Sequence, residues 1–235
     1  DGRLVEYSYD NLKRLTQEKI TEGAQVTAFD YTLDLVGNRS EKKTTKPGPT
    51  VETITYTYNN NDELLTETAP TGTTTYTYTD NGETASKSAP GESVVYTWDN
   101  ESRLVGAVST VQGTMSFAYD VDGIRTAKTV AGTLTKFVLD KNRDFAQVVE
   151  ERSAGSAVQI AYVYGDDLAS QENTQVAPAQ QMHFYHHDGQ MSVRQLTDAA
   201  SDATDTYTFD VFGMSLASTG AAPRSLSPAG RVVRR

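Results

Sequence analysis

The segment YTWDNESRL, Tyr96–Leu104, carries the pattern that decides the fold of this chain. An earlier segment, YSYDNLKRL at Tyr7–Leu15, places two aromatic rings, an aspartate and an arginine at the same positions. Two rings separated by one small polar residue point to the same face of an extended strand. The Asp-Asn pair that follows favours a tight turn, because these side chains accept hydrogen bonds from nearby backbone N–H groups. Each segment therefore predicts a strand that ends in a turn.

The segment recurs about ten times in 235 residues, mostly at intervals of 20 to 25 residues. A second run of β-forming residues follows each turn, so each copy is predicted to be a β-hairpin. Repeats of this length are typical of arrays in which neighbouring units bury a core together. The leading rings of the ten copies are Tyr7, Tyr31, Tyr56, Tyr76, Tyr96, Phe117, Phe137, Tyr162, Phe184 and Tyr207.

The predicted fold class is all-β, and no segment predicts a helix longer than about one turn. Short breaks rich in Pro and Gly, such as APTGTT and APGES, are predicted to end one hydrogen-bonded ladder before the next begins. The residues assigned to the repeated structural motif are Tyr7, Tyr9, Asp10, Arg14, Tyr31, Asp34, Tyr56, Tyr58, Tyr76, Tyr78, Tyr96, Trp98, Asp99, Arg103, Phe117, Tyr119, Asp120, Gly123, Phe137, Asp140, Tyr162, Tyr164, Tyr207, Phe209 and Asp210.

The repeated aspartates are predicted to cap turns rather than to act as catalytic carboxylates, because they recur once per hairpin. The repeated rings are predicted to stack along one sheet face, and an aromatic platform for glycans is the alternative interpretation. The DVDG segment at 120–123 begins like a calcium loop, but Ala131 stands where such a loop needs a glutamate. All three histidines lie in HFYHHDG at 183–189, and a metal site there would need a tight turn.

The overall composition excludes several classes of function. A net charge of −10 and a pI near 4.8 argue against a nucleic-acid surface, which needs clustered Lys and Arg. The chain has no cysteine, so disulfides, thiolate metal sites and a cysteine nucleophile are excluded. No apolar stretch is long enough for a transmembrane helix, and the first residues show no signal peptide. No cofactor is expected, and the chain is interpreted as a piece of something longer.

The aromatic-x-aromatic-Asp-x-x-Gly-x-Arg pattern resembles the YD repeat of Rhs proteins, the BC components of Tc toxins, wall-associated proteins and teneurins. Tyr185–Gly213 also resembles the opening of the Rhs-associated core, with Met191 in place of the usual Gly. The predicted domains are a repeat array at 1–180, core-like repeats at 181–222 and a loosely ordered tail at 223–235. The core-like residues are His186, Asp188, Ser192, Val193, Arg194, Leu196, Thr197, Asp198, Phe212 and Gly213.

The resemblance implies a curved ribbon that forms a segment of a hollow β-shell and encapsulates a passenger toxin polypeptide in a secreted or cell-surface bacterial protein. Flanking repeats, another copy at the open sheet edges, or the encapsulated toxin would be the partners. In that family an aspartyl autoprotease follows the core, but its aspartates have no counterpart here. The chain is therefore predicted not to be an enzyme, although an autoprotease remnant is a third hypothesis. The alternative function is a cell-surface adhesin or glycan-binding array.

Overall fold

The computed structural model describes residues 2–48 and 50–220, with the side chain of residue 179 left out. Within them the chain forms twenty β-strands and one turn of 3-10 helix, Pro178–Gln180, so the all-β prediction is confirmed. The strands are β1 (Arg3–Tyr9), β2 (Leu15–Glu22), β3 (Gln25–Leu33), β4 (Arg39–Lys46), β5 (Thr50–Tyr58), β6 (Leu64–Ala69), β7 (Gly72–Tyr78), β8 (Thr84–Ala89), β9 (Glu92–Trp98), β10 (Leu104–Ser109), β11 (Gly113–Tyr119), β12 (Arg125–Val130), β13 (Thr133–Asp140), β14 (Gln147–Ser153), β15 (Val158–Tyr164), β16 (Leu168–Asn173), β17 (Met182–His187), β18 (Val193–Thr197), β19 (Ala203–Phe209) and β20 (Ser215–Thr219).

Contacts divide the chain into two compact units. In the first, each strand from β1 to β11 pairs antiparallel with the next one along the chain. In the second, the strands from β13 to β20 pair in the same sequential way. Sequential antiparallel pairing needs only short turns, which the repeated turn residues supply.

The Pro- and Gly-rich breaks are turns inside a continuous ladder. Ala69 pairs with Gly72 across one break, and Ala89 pairs with Glu92 across the next. The prediction that these breaks end a ladder is therefore wrong. Pro90 stands at a turn corner, where its missing N–H group is not needed and its fixed φ suits the turn. Gly91 follows with a φ of +86°, which completes a tight connection.

One face of the hairpins carries the core, because the strand pleat alternates covered and exposed side chains. In β7 the rings of Tyr76 and Tyr78 are half-buried, whereas Thr77 between them is exposed. Buried apolar residues form one cluster around Phe29 in the first unit and another around Tyr162 in the second. The aromatic-x-aromatic pattern therefore places its rings on the core face.

The ninth copy of the repeat is the exception to the predicted phase. Phe184 is 39% exposed, whereas Tyr185 and His187 lie on the core face and stack with ring centroids 6.4 Å apart. Tyr185 lies opposite Leu196, which is almost fully buried. Since a shift of one residue turns a side chain to the other sheet face, the buried partner decides the phase. The prediction that Phe184 leads this copy is wrong, and Tyr185 takes that place.

The predicted domain boundaries at 180/181 and 222/223 remain predictions. The predicted loosely ordered tail, 223–235, lies outside the described residues. No helix in the described part of the chain is both long enough and apolar enough to span a membrane.

Candidate functional site

The repeated turn is built around one side-chain oxygen. Asp99 Oδ1 accepts hydrogen bonds from the backbone N–H groups of Glu101, at 2.9 Å, and Arg103, at 3.0 Å. The backbone N–H of Asp99 donates to the carbonyl of Arg103, and its carbonyl accepts from the N–H of Ser102, both at 3.0 Å. These four bonds give four backbone N–H groups of the turn an acceptor within the turn itself.

The same side-chain bonds form at most of the other predicted turn aspartates. Two further turns use residues that the sequence analysis missed, Asn59 and Thr79, whose side-chain oxygens accept the equivalent N–H groups. Their position directly after a Tyr-Thr-Tyr segment was the available signal. The carboxylates that accept at least two backbone N–H groups in this way are those of Asp10, Asp34, Asp120, Asp188, Asp198 and Asp210. Asp140 accepts from the N–H of Asn142.

The third residue after each capping residue other than Asp140 has a positive φ. Gly123 and Gly213 hold this position with φ values of +76° and +79°. Residues with side chains hold it elsewhere, including Lys13 at +64°, Ser102 at +56° and Met191 at +63°. Met191 therefore keeps the conformation that a glycine favours, and the turn in the core-like segment forms despite the substitution.

Arginines hold several of these carboxylates in the charged form. Arg103 Nε lies 2.7 Å from Asp99 Oδ2, and Arg14 Nε lies 2.7 Å from Asp10 Oδ2. The backbone N–H of Arg14 is the largest cause of the lowered pKa of Asp10, and the Arg14 side chain is the next largest. For Asp99 the Arg103 N–H bond is again the largest cause of the lowered pKa. Such carboxylates are stable hydrogen-bond acceptors and poor general acids or bases near neutral pH.

Side chains also connect one turn to the next within each unit. Arg14 Nη1 donates to the carbonyl of Asp34 at 2.8 Å, and Asn38 Nδ2 donates to Asp62 Oδ1 at 2.8 Å. Ser102 Oγ donates to Glu83 Oε1 at 2.7 Å. These bonds make the row of turns a connected edge.

Lys141 makes the corresponding connection in the second unit. Its Nζ lies 2.5 Å from Asp120 Oδ2 and 2.8 Å from Asp122 Oδ2. The hydrogen bond with Asp120 is the main reason that the pKa of Lys141 is raised and that of Asp120 is lowered. Both charges are therefore retained across the neutral pH range.

The second ring of a repeat is bonded to the backbone of the preceding repeat. The hydroxyl of Tyr58 donates to the carbonyl of Arg39 at 2.9 Å, and that of Tyr78 donates to the carbonyl of Leu64 at 2.8 Å. Trp98 Nε1 makes the equivalent bond to the carbonyl of Thr84. We refer to this recurring bond as the aromatic-to-carbonyl joint, and it ties each of these three hairpins to the one before it.

The joint recurs in the second unit, where the Tyr164 hydroxyl donates to the carbonyl of Val148 at 3.0 Å. Burial raises the pKa of Tyr164 to about 12, so the hydroxyl keeps its proton and remains a donor. Burial likewise raises the pKa of Tyr58 and of Tyr78. The joint is therefore insensitive to pH across the neutral range.

Cationic side chains cover the leading rings on the core face. The guanidinium of Arg39 lies 4.5 Å from the ring centroid of Tyr56 and 5.9 Å from that of Tyr31. Arg194, from the core-like segment, covers the second ring of its repeat, Phe209, at 5.4 Å. Contacts at these distances are attractive because the ring face is electron-rich. Tyr31 and Tyr56 are thus buried under their neighbours.

Five of the remaining leading rings are half-buried on this face. Tyr7 is 45% exposed, and Tyr162 is buried with its hydroxyl bonded to Glu151 at 3.0 Å. Lys128 Nζ lies 3.6 Å from the other carboxylate oxygen of Glu151 and 5.5 Å from the ring centroid of Phe137. The half-buried leading rings are those of Tyr76, Tyr96, Phe117, Phe137 and Tyr207, and the second ring Tyr119 is half-buried as well.

The three histidines do not converge. His183 is buried, His186 Nε2 lies 3.0 Å from Thr197 Oγ1, and His187 Nε2 lies 3.7 Å from Asp167 Oδ2. In the described part of the chain, no group of three His, Asp or Glu side chains is arranged to hold a metal ion.

The core-like residues contribute to the last two hairpins. Ser192 donates its N–H to Asp188 Oδ1, and Arg194 Nε lies 2.6 Å from Asp188 Oδ2. Val193 lies opposite His187, and Phe212, at the final turn, is 54% exposed. These residues therefore build another turn of the repeated type rather than a separate pocket.

No family model matches the chain. It is 28% identical over 210 residues to the tRNA3(Ser)-specific nuclease WapA of Bacillus spizizenii. It is 27% identical over 207 residues to the tRNA nuclease WapA of Bacillus subtilis. Each alignment covers 87% of this chain but only 8% of the relative.

Solved structures of Tc toxin proteins also align with most of the chain. The crystal structures of TcdB2-TccC3-Cdc42 and TcdB2-TccC3-TEV match with TM-scores of 0.46 and 0.40 and identities of 12% and 15%. Each match covers 92% of this chain and 13% of the other chain. The chain is thus similar over most of its length to a short stretch of two Bacillus WapA nucleases, and it spans about 8% of each.

Proposed function

We propose that this chain is a YD-repeat segment of the Rhs type, and that it forms part of a wall enclosing a passenger polypeptide in a secreted or cell-surface bacterial protein. The observation that carries the proposal is the aromatic-to-carbonyl joint. Because Tyr58, Tyr78 and Trp98 each bond to the preceding hairpin, successive repeats are held together by side chains as well as by the ladder. An array joined in this way suits a barrier between two spaces.

The two faces of the hairpins also suit a wall. One face carries the rings and their cationic partners, and the other carries exposed hydroxyl pairs such as Thr57 with Thr66, 2.6 Å apart. Hydroxyl groups paired across strands stabilise a sheet without adding an apolar surface. A polypeptide enclosed on one side of the wall would therefore contact different side chains from those that face the medium on the other side.

Similarity to the WapA nucleases supports membership of the same broad group of toxin-related repeat proteins. The chain spans 8% of those relatives, and their nuclease activity is a property of the whole proteins. We assign no nuclease role to this segment, because its net charge of −10 opposes binding to RNA phosphates. The carboxylates of Asp10 and Asp99, which cap two of the turns, also have lowered pKa values, which suits a structural role rather than proton transfer.

The glycan-binding alternative receives less support. A sugar would need an exposed ring face, whereas Tyr31, Tyr56 and Tyr162 are buried. The hydroxyl tips of Tyr58 and Tyr78 are also engaged by backbone carbonyls.

A repeat deletion in the longer parent protein tests the wall proposal. Removing residues 79–98 joins Tyr78 directly to Asp99 and so rebuilds the aromatic-aspartate sequence with one hairpin fewer. We expect the array to fold but the enclosed polypeptide to become accessible to protease. The matched control is Asp99→Asn, which keeps the repeat number and should leave the polypeptide protected. Equal protection in both variants would argue against the wall.

A further inference from the structure

The turn between β7 and β8 contains Asn81 followed directly by Gly82, and both residues are exposed. No other asparagine in the sequence precedes a glycine. The side-chain amide of an asparagine can be attacked by the backbone nitrogen of the next residue, which closes a five-membered ring. A glycine places no side chain in the path of this attack. The pair is therefore a candidate site for spontaneous chemical modification.

The hydrogen bonds that hold this turn are longer than those of the turn before it. Thr79 Oγ1 accepts the backbone N–H of Asn81 at 3.3 Å and that of Glu83 at 3.2 Å. The corresponding bonds to the side chain of Asn59 are 2.9 and 3.0 Å long. The attacking nitrogen of Gly82 donates to the carbonyl of Thr79 at 3.0 Å, so this bond must open before the reaction. Because long hydrogen bonds are weak, the turn capped by Thr79 opens more readily than the turn capped by Asn59.

We propose that Asn81 deamidates in the folded chain and that the isoaspartate product opens the turn. The backbone nitrogen of Gly82 forms a bond to Asn81 Cγ. The Cγ–Nδ2 bond breaks, and ammonia leaves with the proton from the Gly82 nitrogen. Water then opens the resulting succinimide, giving aspartate when it attacks at Cγ and isoaspartate when it attacks at the main-chain carbonyl. Water is the only co-reactant, and the proposal does not depend on an enclosed passenger.

Isoaspartate adds one methylene group to the main chain inside this turn. The turn is closed by two backbone bonds, from the N–H of Thr79 to the carbonyl of Glu83 at 2.8 Å and from the N–H of Gly82 to the carbonyl of Thr79. A main chain lengthened between these groups cannot keep both bonds at their present geometry. Either product also adds a carboxylate near Glu83, which is repulsive. Since Glu83 accepts a bond from Ser102 Oγ at 2.7 Å, the modification also loosens the connection to the next turn.

Asn61 occupies the same position in the turn between β5 and β6 and provides a comparison within the chain. It is exposed, and its backbone N–H donates to the side chain of Asn59. The residue that follows, Asp62, has a φ of +61°, and Gly82 has a φ of +84°. Unlike Gly82, Asp62 carries a side chain, which accepts a bond from Asn38 Nδ2 at 2.8 Å. The two asparagines therefore share position and exposure, and they differ in the residue that supplies the attacking nitrogen.

Peptide mapping by mass spectrometry, after incubation of the folded chain at mildly alkaline pH, tests the reaction. Electron-transfer fragmentation distinguishes aspartate from isoaspartate at each position. We expect Asn81 to convert at least about tenfold faster than Asn61, which corresponds to a difference in barrier of about 1.4 kcal/mol. The matched variant is Asp62→Gly, which places a glycine after Asn61 and should raise the conversion rate of Asn61 towards that of Asn81. Asn81→Gln keeps a side-chain amide but lengthens the side chain, and it should lose the fast conversion.

Hydrogen exchange supplies the second readout, on the isoaspartate form separated by ion exchange from the unconverted chain. The amides of Thr79 and Gly82 should exchange faster in this form than in the Asn81→Gln variant incubated in the same way. Conversion of Asn81 in urea but not in the folded chain would overturn the proposal, since the folded turn would then protect it. Equal rates for Asn61 and Asn81 would overturn the role assigned to Gly82. Unchanged exchange in the isoaspartate form would overturn the opening of the turn.

Discussion

Trp98 Nε1 donates a 2.8 Å hydrogen bond to the carbonyl oxygen of Thr84, fourteen residues earlier in the chain. Thr84 is the first residue of β8, directly after the preceding repeated turn, so the bond crosses from one repeat to another. The acceptor is a backbone atom and is present whatever side chain stands at that position. Tyr58 and Tyr78 therefore make the same joint to an arginine and a leucine.

Removing one hydroxyl from the joint measures its contribution to stability. Tyr78→Phe keeps the ring but loses the bond to the Leu64 carbonyl, and we expect it to lower the free energy of unfolding by about 0.5–1.5 kcal/mol. Tyr9→Phe is the control, because Tyr9 has no preceding described strand, and it should have almost no effect in dilute solution. Urea unfolding of the two variants provides the comparison. Equal losses would mean that the joint contributes nothing specific.

The turn cap can be tested at Asp210, whose Oδ1 accepts the N–H groups of Phe212 and Met214. Asp210→Ala leaves both N–H groups without that acceptor and should lower the free energy of unfolding by about 1–2 kcal/mol. Asp210→Asn keeps the acceptor oxygen, as Asn59 does naturally, and should lose less. Chemical denaturation distinguishes the two variants. An alanine variant as stable as the asparagine variant would exclude the capping role.

Acid should weaken the array through the same turns. Because the folded-state pKa of Asp99 lies below its ordinary value of 3.8, protonation favours the unfolded chain. The stabilisation of the folded chain by the charged Asp99 carboxylate is fully present above pH 3.8, and it is lost as the pH falls through the lower folded-state pKa of Asp99. The urea midpoints of the wild type and Asp99→Asn should therefore differ at neutral pH and converge in acid. A difference that grows on acidification would have the wrong sign.

Opposite substitutions at two equivalent turn positions should have opposite effects on stability. Lys13 has a φ of +64° and Gly123 a φ of +76°, with no atom near the place of an added Cβ at Gly123. Gly123→Ala should be destabilising by about 1–2 kcal/mol, because only the backbone conformation opposes the methyl group. Lys13→Gly should be stabilising by a smaller amount, since the loss of left-handed strain exceeds the added chain entropy. Thermal unfolding measures both, and shifts in the same direction would contradict the shared turn geometry.

Much of the hairpin array could be predicted from the sequence. Alternation in Tyr76, Thr77 and Tyr78 indicates a strand with one covered face, and the aspartate after it indicates a turn. The phase of the ninth copy could not be predicted, because Phe184 and Tyr185 are both aromatic and only the buried partner Leu196 decides between them.

Other features have no pattern of residue types to reveal them. The acceptor in the aromatic-to-carbonyl joint is a backbone carbonyl, which every residue has. Only the donor side chain can therefore be recognised in the sequence. The residue types around Pro70 and Pro90 predict the ends of ladders, whereas strand pairing on both sides of each proline makes it a turn corner. Lys13 and Met191 adopt a conformation that glycine usually marks, because the bonds of the surrounding turn hold them there.

The wall itself is tested most directly by protease access in the intact parent protein. The polypeptide proposed to lie inside is given a cleavage site for a specific protease, and an identical site is placed on an exposed terminus as the internal control. We predict that the terminal site is cut while the enclosed site survives until the array is unfolded. Cleavage of both sites at the same rate in the folded protein would contradict it.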